Sequence, residues 1–226
     1  MAIAPAGSAA VSSFGSWSSG VAWSTIKVPL AIAALRADRS RARDLVVRAI
    51  TRSDNAAAEL LWSQLGLPAQ AAQHVQAVLH EGGAMATQVE SRRLRTGFTA
   101  FGQTRWSIVE QARFAAHLPC LPGADTVIDL MDDLADEQRW GLAACGAPAK
   151  GGWGPGEVAG HYLVRQFGLM PARFGGVGVA LAAEADDGTF ASGVAALNRM
   201  AHWLADQLPT KGSRPEGNPA PHSAQH

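Results

Sequence analysis

Lysine is nearly missing from this chain. Only Lys27, Lys150 and Lys211 occur in 226 residues, and arginine outnumbers lysine about five to one. Acidic and basic residues balance at 19 each, so the formal charge is zero. That balance argues against nucleic acid or an anionic surface as the main partner. No apolar run reaches the roughly 20 residues that a membrane helix needs. Cysteine is limited to Cys120 and Cys145, which fit no metal spacing and are too few for a disulfide framework. Two unpaired, partly buried thiols are the expectation, with a single disulfide as the alternative. The seven histidines are scattered and no H-E-x-x-H set occurs, so neither a metal nor a cofactor is expected. Residues 1–16, MAIAPAGSAAVSSFGS, lack a charged start followed by a long apolar block and do not read as a signal peptide. No internal repeat is visible.

What is present is a chain with strands at both ends and helices in the middle. Residues 1–7 and 10–17 read as short strands around a glycine turn. Helical patterns cover 24–37, 45–53, 55–65, 68–81, 107–118 and 124–140, with Asp54 placed to cap the third and Gly66 to stop it. Residues 84–105 have no clean period and read as a long loop, a common place for function. After Gly141, residues 143–154, 160–170 and 176–186 read as strands with glycine-rich turns, and 190–208 as an amphipathic helix. From Pro209 onward proline, glycine, serine and histidine predict a disordered tail. The economical arrangement is one domain over 1–208. Its sheet lobe is built from about 1–23 and 141–208, and a helical lobe of about 24–140 is inserted, leaving a cleft between the two.

The scarce lysines mark the chemistry. Ser24 and Lys27 stand three apart at a helix start and share a face, as "STIK". A serine is a poor nucleophile until a base takes its proton, and a lysine becomes that base when desolvation and nearby positive charge lower its pKa. Alone, such a pair is a weak signal and reads first as a helix-capping serine beside a solvated lysine. Two further stretches follow in order: Ser53-Asp54-Asn55 in "RSDNAAAELL" and Lys150-Gly151-Gly152 in "AKGGWG".

This ordered set, S-x-x-K, S-D-N and K-x-G, resembles the class A serine β-lactamase and penicillin-binding D,D-peptidase superfamily. The resemblance covers nearly all of residues 1–208. It implies an α/β (α+β) β-lactamase/transpeptidase-like fold: a five-stranded antiparallel sheet with flanking helices and an inserted all-helical lobe. It implies that Ser24 is acylated, that Lys27 is its proton partner, and that Ser53 relays a proton to the leaving nitrogen. Asn55 would contact the substrate side chain and Lys27. Lys150 would orient a substrate carboxylate and support Ser53. The N–H groups of Ser24 and Trp153, the latter just after Gly152, would form the oxyanion hole. The implied activity is β-lactam hydrolysis. The alternatives are a D-Ala-D-Ala carboxypeptidase or esterase on the same fold, and a β-lactam- or peptidoglycan-binding module without turnover. The partner would be a small molecule or a peptidoglycan peptide, with no nucleic acid, no membrane span and a monomeric state. An antibiotic response outside the cytoplasm fits the family, and the lack of a signal peptide leaves the cytoplasm as the alternative.

Three departures from the family pattern matter. Gly151 stands where a Thr or Ser hydroxyl is usual, which implies weaker holding of a substrate carboxylate. Only about 29 positions separate Ser24 from Ser53, which implies a missing piece of the helical lobe and a more open site. Glu90 is the only acid in the 84–105 loop, where the family keeps a water-activating Glu. It is the candidate deacylating base, and a surface pair with Arg92 or Arg93 is its competing role. Arg165 is expected either to supply charge on the neighbouring strand or to lie at the surface.

Overall fold

The computed structural model describes residues 1–7, 10–172 and 175–208; the tail expected from 209 to 226 lies outside the described residues. Five antiparallel strands form the sheet: β1 (Ala2–Pro5), β2 (Ser12–Ser13), β5 (Ala149–Pro155), β6 (Tyr162–Ala172) and β7 (Gly175–Ala185). Their spatial order is β2-β1-β7-β6-β5, so the N-terminal strand pairs with the last one and strands from both halves of the chain share one sheet. Helix α5 (Ile108–His117) packs against β7 and β1, and α7 (Phe190–Gln207) against β7 and β6. Because both faces are covered, β6 is buried along almost its whole length. Side chains still alternate across it. Leu163 and Phe167 join the core on the helical-lobe side, and Val164 and Met170 join the one beneath α7.

The helical part comprises α1 (Lys27–Ala37), α2 (Arg39–Thr51), α3 (Asn55–Gln64), α4 (Pro68–Glu81) and α6 (Asp125–Asp132). Asp54 caps α3 by accepting from Ala57 N, and Asp38 caps α2. The helix expected over 124–140 ends at Asp132. Asp129, Asp132 and Asp133 crowd its C-terminal end, where the helix dipole disfavours negative charge. The chain then turns to bury Leu134 and Trp140. Cys120 and Cys145 are both free, and Cys120 is exposed rather than partly buried.

A second, two-stranded sheet was not foreseen. β3 (Ser19–Val21) pairs with β4 (Arg105–Ser107), three residues each and too short for an alternation to show. Arg165 of β6 holds this pair in place. It lies neither at the surface nor in the cleft: it is fully buried. Its Nη1 donates to Gly20 O at 3.0 Å and Val21 O at 3.1 Å, and its Nη2 to Trp106 O at 3.0 Å and Gln111 Oε1 at 2.8 Å. The Trp17 ring covers the guanidinium at 5.2 Å. No carboxylate takes part, and burial lowers its pKa to about 9.

Arg165→Met should therefore leave buried acceptors without donors. Each such loss costs about 1–3 kcal/mol, so a destabilisation of at least about 3 kcal/mol is expected in urea unfolding. A loss below about 1 kcal/mol would show that water reaches those carbonyls.

Candidate active site

Ser24 sits in a short 3-10 turn, Trp23–Ile26, immediately before α1; the helix expected from Ser24 begins at Lys27. This turn is fastened from beneath. Thr25 Oγ1 donates to Ala22 O at 2.6 Å, Gln111 Nε2 donates to Thr25 Oγ1 at 3.0 Å, and Gln111 in turn receives Arg165. Strand β5 presses against the turn from the side. A Cβ on Gly152 would lie 2.8 Å from Ser24 N and 2.9 Å from both Ala22 O and Thr25 N, so only glycine fits there.

Lys27 and Lys150 arrive from different elements and converge on Ser53, in the turn between α2 and α3. Lys27 Nζ donates to Ser53 O at 2.5 Å, Ser53 Oγ at 3.2 Å and Asn55 Oδ1 at 2.7 Å. Lys150 Nζ donates to Ser53 Oγ at 3.0 Å and Gly151 O at 3.0 Å. The two lysines are 1% and 0% exposed. Burial pulls the Lys27 pKa down to about 7 against a smaller upward pull from Asp54. Burial, reinforced by the charge of Lys27, holds Lys150 well below the ordinary lysine range. Both effects disfavour the charged form in a low-dielectric setting.

Ser24, Ser53, Asn55 and Trp153 line one cleft with a cavity volume of about 320 Å³. The non-glycine residues with positive φ among those described are Trp23 (49°) and Ser53 (56°), and both line it. Such conformations cost about 1–3 kcal/mol each and cluster at functional sites. The long loop supplies Gly97, Phe98 and Thr99 to the same wall, with the Phe98 ring tilted against Trp23 at a centroid distance of 5.0 Å.

Glu90 is not brought to this cleft. It lines a separate depression with Leu94, Gln103 and Arg105. Its carboxylate accepts from Arg92 N at 2.7 Å and Arg92 Nε at 3.3 Å. Partial burial raises its pKa, but the Arg92 hydrogen bonds and charge outweigh that and hold it below the usual carboxylate range. The pair with Arg92 is what the structure shows, because the loop turns at 90–92 and aims the side chain away. The missing hydroxyl at Gly151 also has a physical cause. A Cβ there would point away from the cleft and lie 2.5 Å from Trp140 Cζ2. Trp140 packs edge-on to Trp153 and Phe190 in the core beneath α7. Sequence reasoning missed Gln111. For Gln111 a signal existed: it is a polar residue on the apolar face of an amphipathic helix.

No protein-family model matches the chain, and no curated protein matches its sequence significantly. Solved structures do. The TLA-3 extended-spectrum β-lactamase superposes with a TM-score of 0.73 at 10% identity, over 91% of this chain and 91% of that one. A β-lactamase from Chitinophaga pinensis gives 0.73 at 13%, over 91% and 92%. A variant of the last common ancestor of Gram-negative bacteria class A β-lactamase gives 0.68 at 18%, over 91% and 90%. The chain has the β-lactamase/transpeptidase-like fold, a mixed α and β architecture around a five-stranded antiparallel sheet.

With only three lysines, side-chain NMR of lysine-labelled protein should resolve each amine. Lys27 should titrate near 7, and its signal should vanish in Lys27→Ala. The unfolded side chain titrates near about 10.4. Between those values the unfolded chain holds a proton that the folded chain does not, so this lysine makes stability rise with pH across that window. A Lys27 midpoint above about 9.5 would contradict its desolvation, being within about one unit of the free value. Separately, Gly151→Thr should destabilise by about 1–3 kcal/mol through overpacking, and Trp140→Ala in the same chain should cancel part of that loss in a double-mutant cycle. Strict additivity would show that the two positions do not compete for space.

Proposed function

We propose that the protein is an active-site serine hydrolase, acylated at Ser24 by a β-lactam or a related amide or ester. The observation that carries this is the convergence of two buried lysines on one serine hydroxyl, at the edge of a cleft that a second serine lines. The names of the similar structures, all β-lactamases, point the same way.

In this reading Lys27, one helical turn beyond Ser24, is largely neutral above about pH 7 and accepts the Ser24 proton as Oγ attacks the carbonyl carbon. The Ser24 and Trp153 N–H groups stabilise the oxyanion that forms. Lys150 holds the Ser53 hydroxyl so that it returns the proton to the leaving atom. Asn55 keeps Lys27 in place through Oδ1 and leaves its amide N–H groups to the substrate. None of the twelve residues lining the cleft is acidic, so no carboxylate stands ready to activate water for deacylation. This favours a slow enzyme whose acyl adduct persists over one with rapid turnover.

Intact-protein mass spectrometry after addition of a fluorescent penicillin tests the reading. The wild-type chain should gain one adduct that decays slowly, and Ser24→Ala should gain none. Lys27→Arg should slow acylation by about 100-fold or more, the usual contribution of a positioned base. The acylation rate should rise with pH around a midpoint near 7. Labelling of the alanine variant at the wild-type rate would sink the nucleophile assignment, and a rise centred near about 10.4 would sink the base assignment.

A further inference from the structure

The lining of the cleft is uncharged throughout. Its polar groups are the hydroxyls of Ser24, Ser53, Thr99 and Tyr162 and the amide of Asn55. Burial raises the Tyr162 pKa and keeps that hydroxyl protonated. The remaining wall is aromatic or backbone: Trp23, Phe98 and Trp153 beside Gly97, Gly102, Gly154 and Pro155.

Four cations among the described residues, Lys27, Lys150, Arg165 and Arg95, are already engaged. Lys150 has no exposed surface and gives its protons to Ser53 Oγ and Gly151 O. Lys27 is spent on Ser53 and Asn55. Arg165 lies below the turn, with four oxygen acceptors and no opening to the cleft. Arg95 stands at the rim: it lies over the Trp23 ring at 5.7 Å and donates to Pro155 O at 3.2 Å, so two lining residues engage its guanidinium although it does not itself line the cleft. A substrate carboxylate entering this cleft would lose hydration and meet neutral walls, which is unfavourable without a charged or multiple-donor partner. A flat apolar ring would meet aromatic faces on several sides.

From this wall, and resting on the acyl-serine reading above, we infer that the cleft selects uncharged, aryl-bearing acyl donors, aromatic esters or amides, over donors that carry a carboxylate. The chemistry balances without a further reactant beyond water. Ser24 Oγ bonds to the ester carbon and its proton passes to Lys27. The carbon–oxygen bond to the leaving group breaks, and that oxygen takes a proton through Ser53. Water then cleaves the acyl-serine, releasing the carboxylic acid and restoring Ser24.

Two matched pairs test the inference: phenyl phenylacetate against 3-carboxyphenyl phenylacetate, and benzylpenicillin methyl ester against benzylpenicillin. Second-order acylation constants are read from the mass of the intact chain, with rates corrected for each probe's uncatalysed hydrolysis. The neutral member of each pair should acylate Ser24 about tenfold faster or more. Thr99→Lys, and separately Phe98→Arg, should place a cation on the wall and shrink or invert that ratio. Arg95→Gln should leave it within about twofold. Faster acylation by both anionic members would overturn the inference while leaving the serine hydrolase reading intact. A ratio that rises well beyond twofold in Arg95→Gln would show the rim cation serving the carboxylate and would overturn the neutral-wall explanation. No adduct from any of the four probes would overturn both.

Discussion

The buried guanidinium of Arg165 is the interaction on which the rest of the site depends. One side chain on β6 reaches β3 and the contiguous β4 and α5, two stretches far apart in the chain. Its ligands are three carbonyls and one amide, so it acts as a donor fork and its charge goes unpaired. Through Gln111 the fork continues to Thr25 and the Ala22 carbonyl, which close the turn that presents Ser24. The strained φ of Trp23 next to it is held by this over-determined packing. The position of Ser24 and the strain at Trp23 thus depend on a residue of β6.

A second constraint is electrostatic. Two ammonium groups cannot both stay fully charged when buried around one serine hydroxyl, and no carboxylate contacts either. Asp54 is the nearest sequence candidate for relief, but its carboxylate is engaged by Arg48 and by the start of α3. The result is an amine at Lys27 poised to give and take protons near pH 7, beside a Lys150 held well below the ordinary lysine range.

Much of this was legible in the chain. The ordered trio of motifs placed Ser24, Lys27, Ser53, Asn55 and Lys150, and the structure brings these side chains together at one cleft and its floor. The antiparallel sheet and its five strands followed from glycine-punctuated apolar runs and from the resemblance. Three things were not legible. The β3–β4 pair is too short to carry a period. The direction of Glu90 depends on a turn of loop backbone that no local pattern specifies. The role of Arg165 depends on which acceptors tertiary packing delivers to it, and an isolated arginine in a strand reads as surface. Gly151 was read as an absence, whereas the structure shows it as space that Trp140 fills.

That exchange of space couples positions 140 and 151. A side chain gained at position 151 would crowd the Trp140 ring, and shrinking that ring alone would open a void beside Trp153 and Phe190. Each change taken singly costs stability, so the strand motif is redesigned with least loss by changing both positions together.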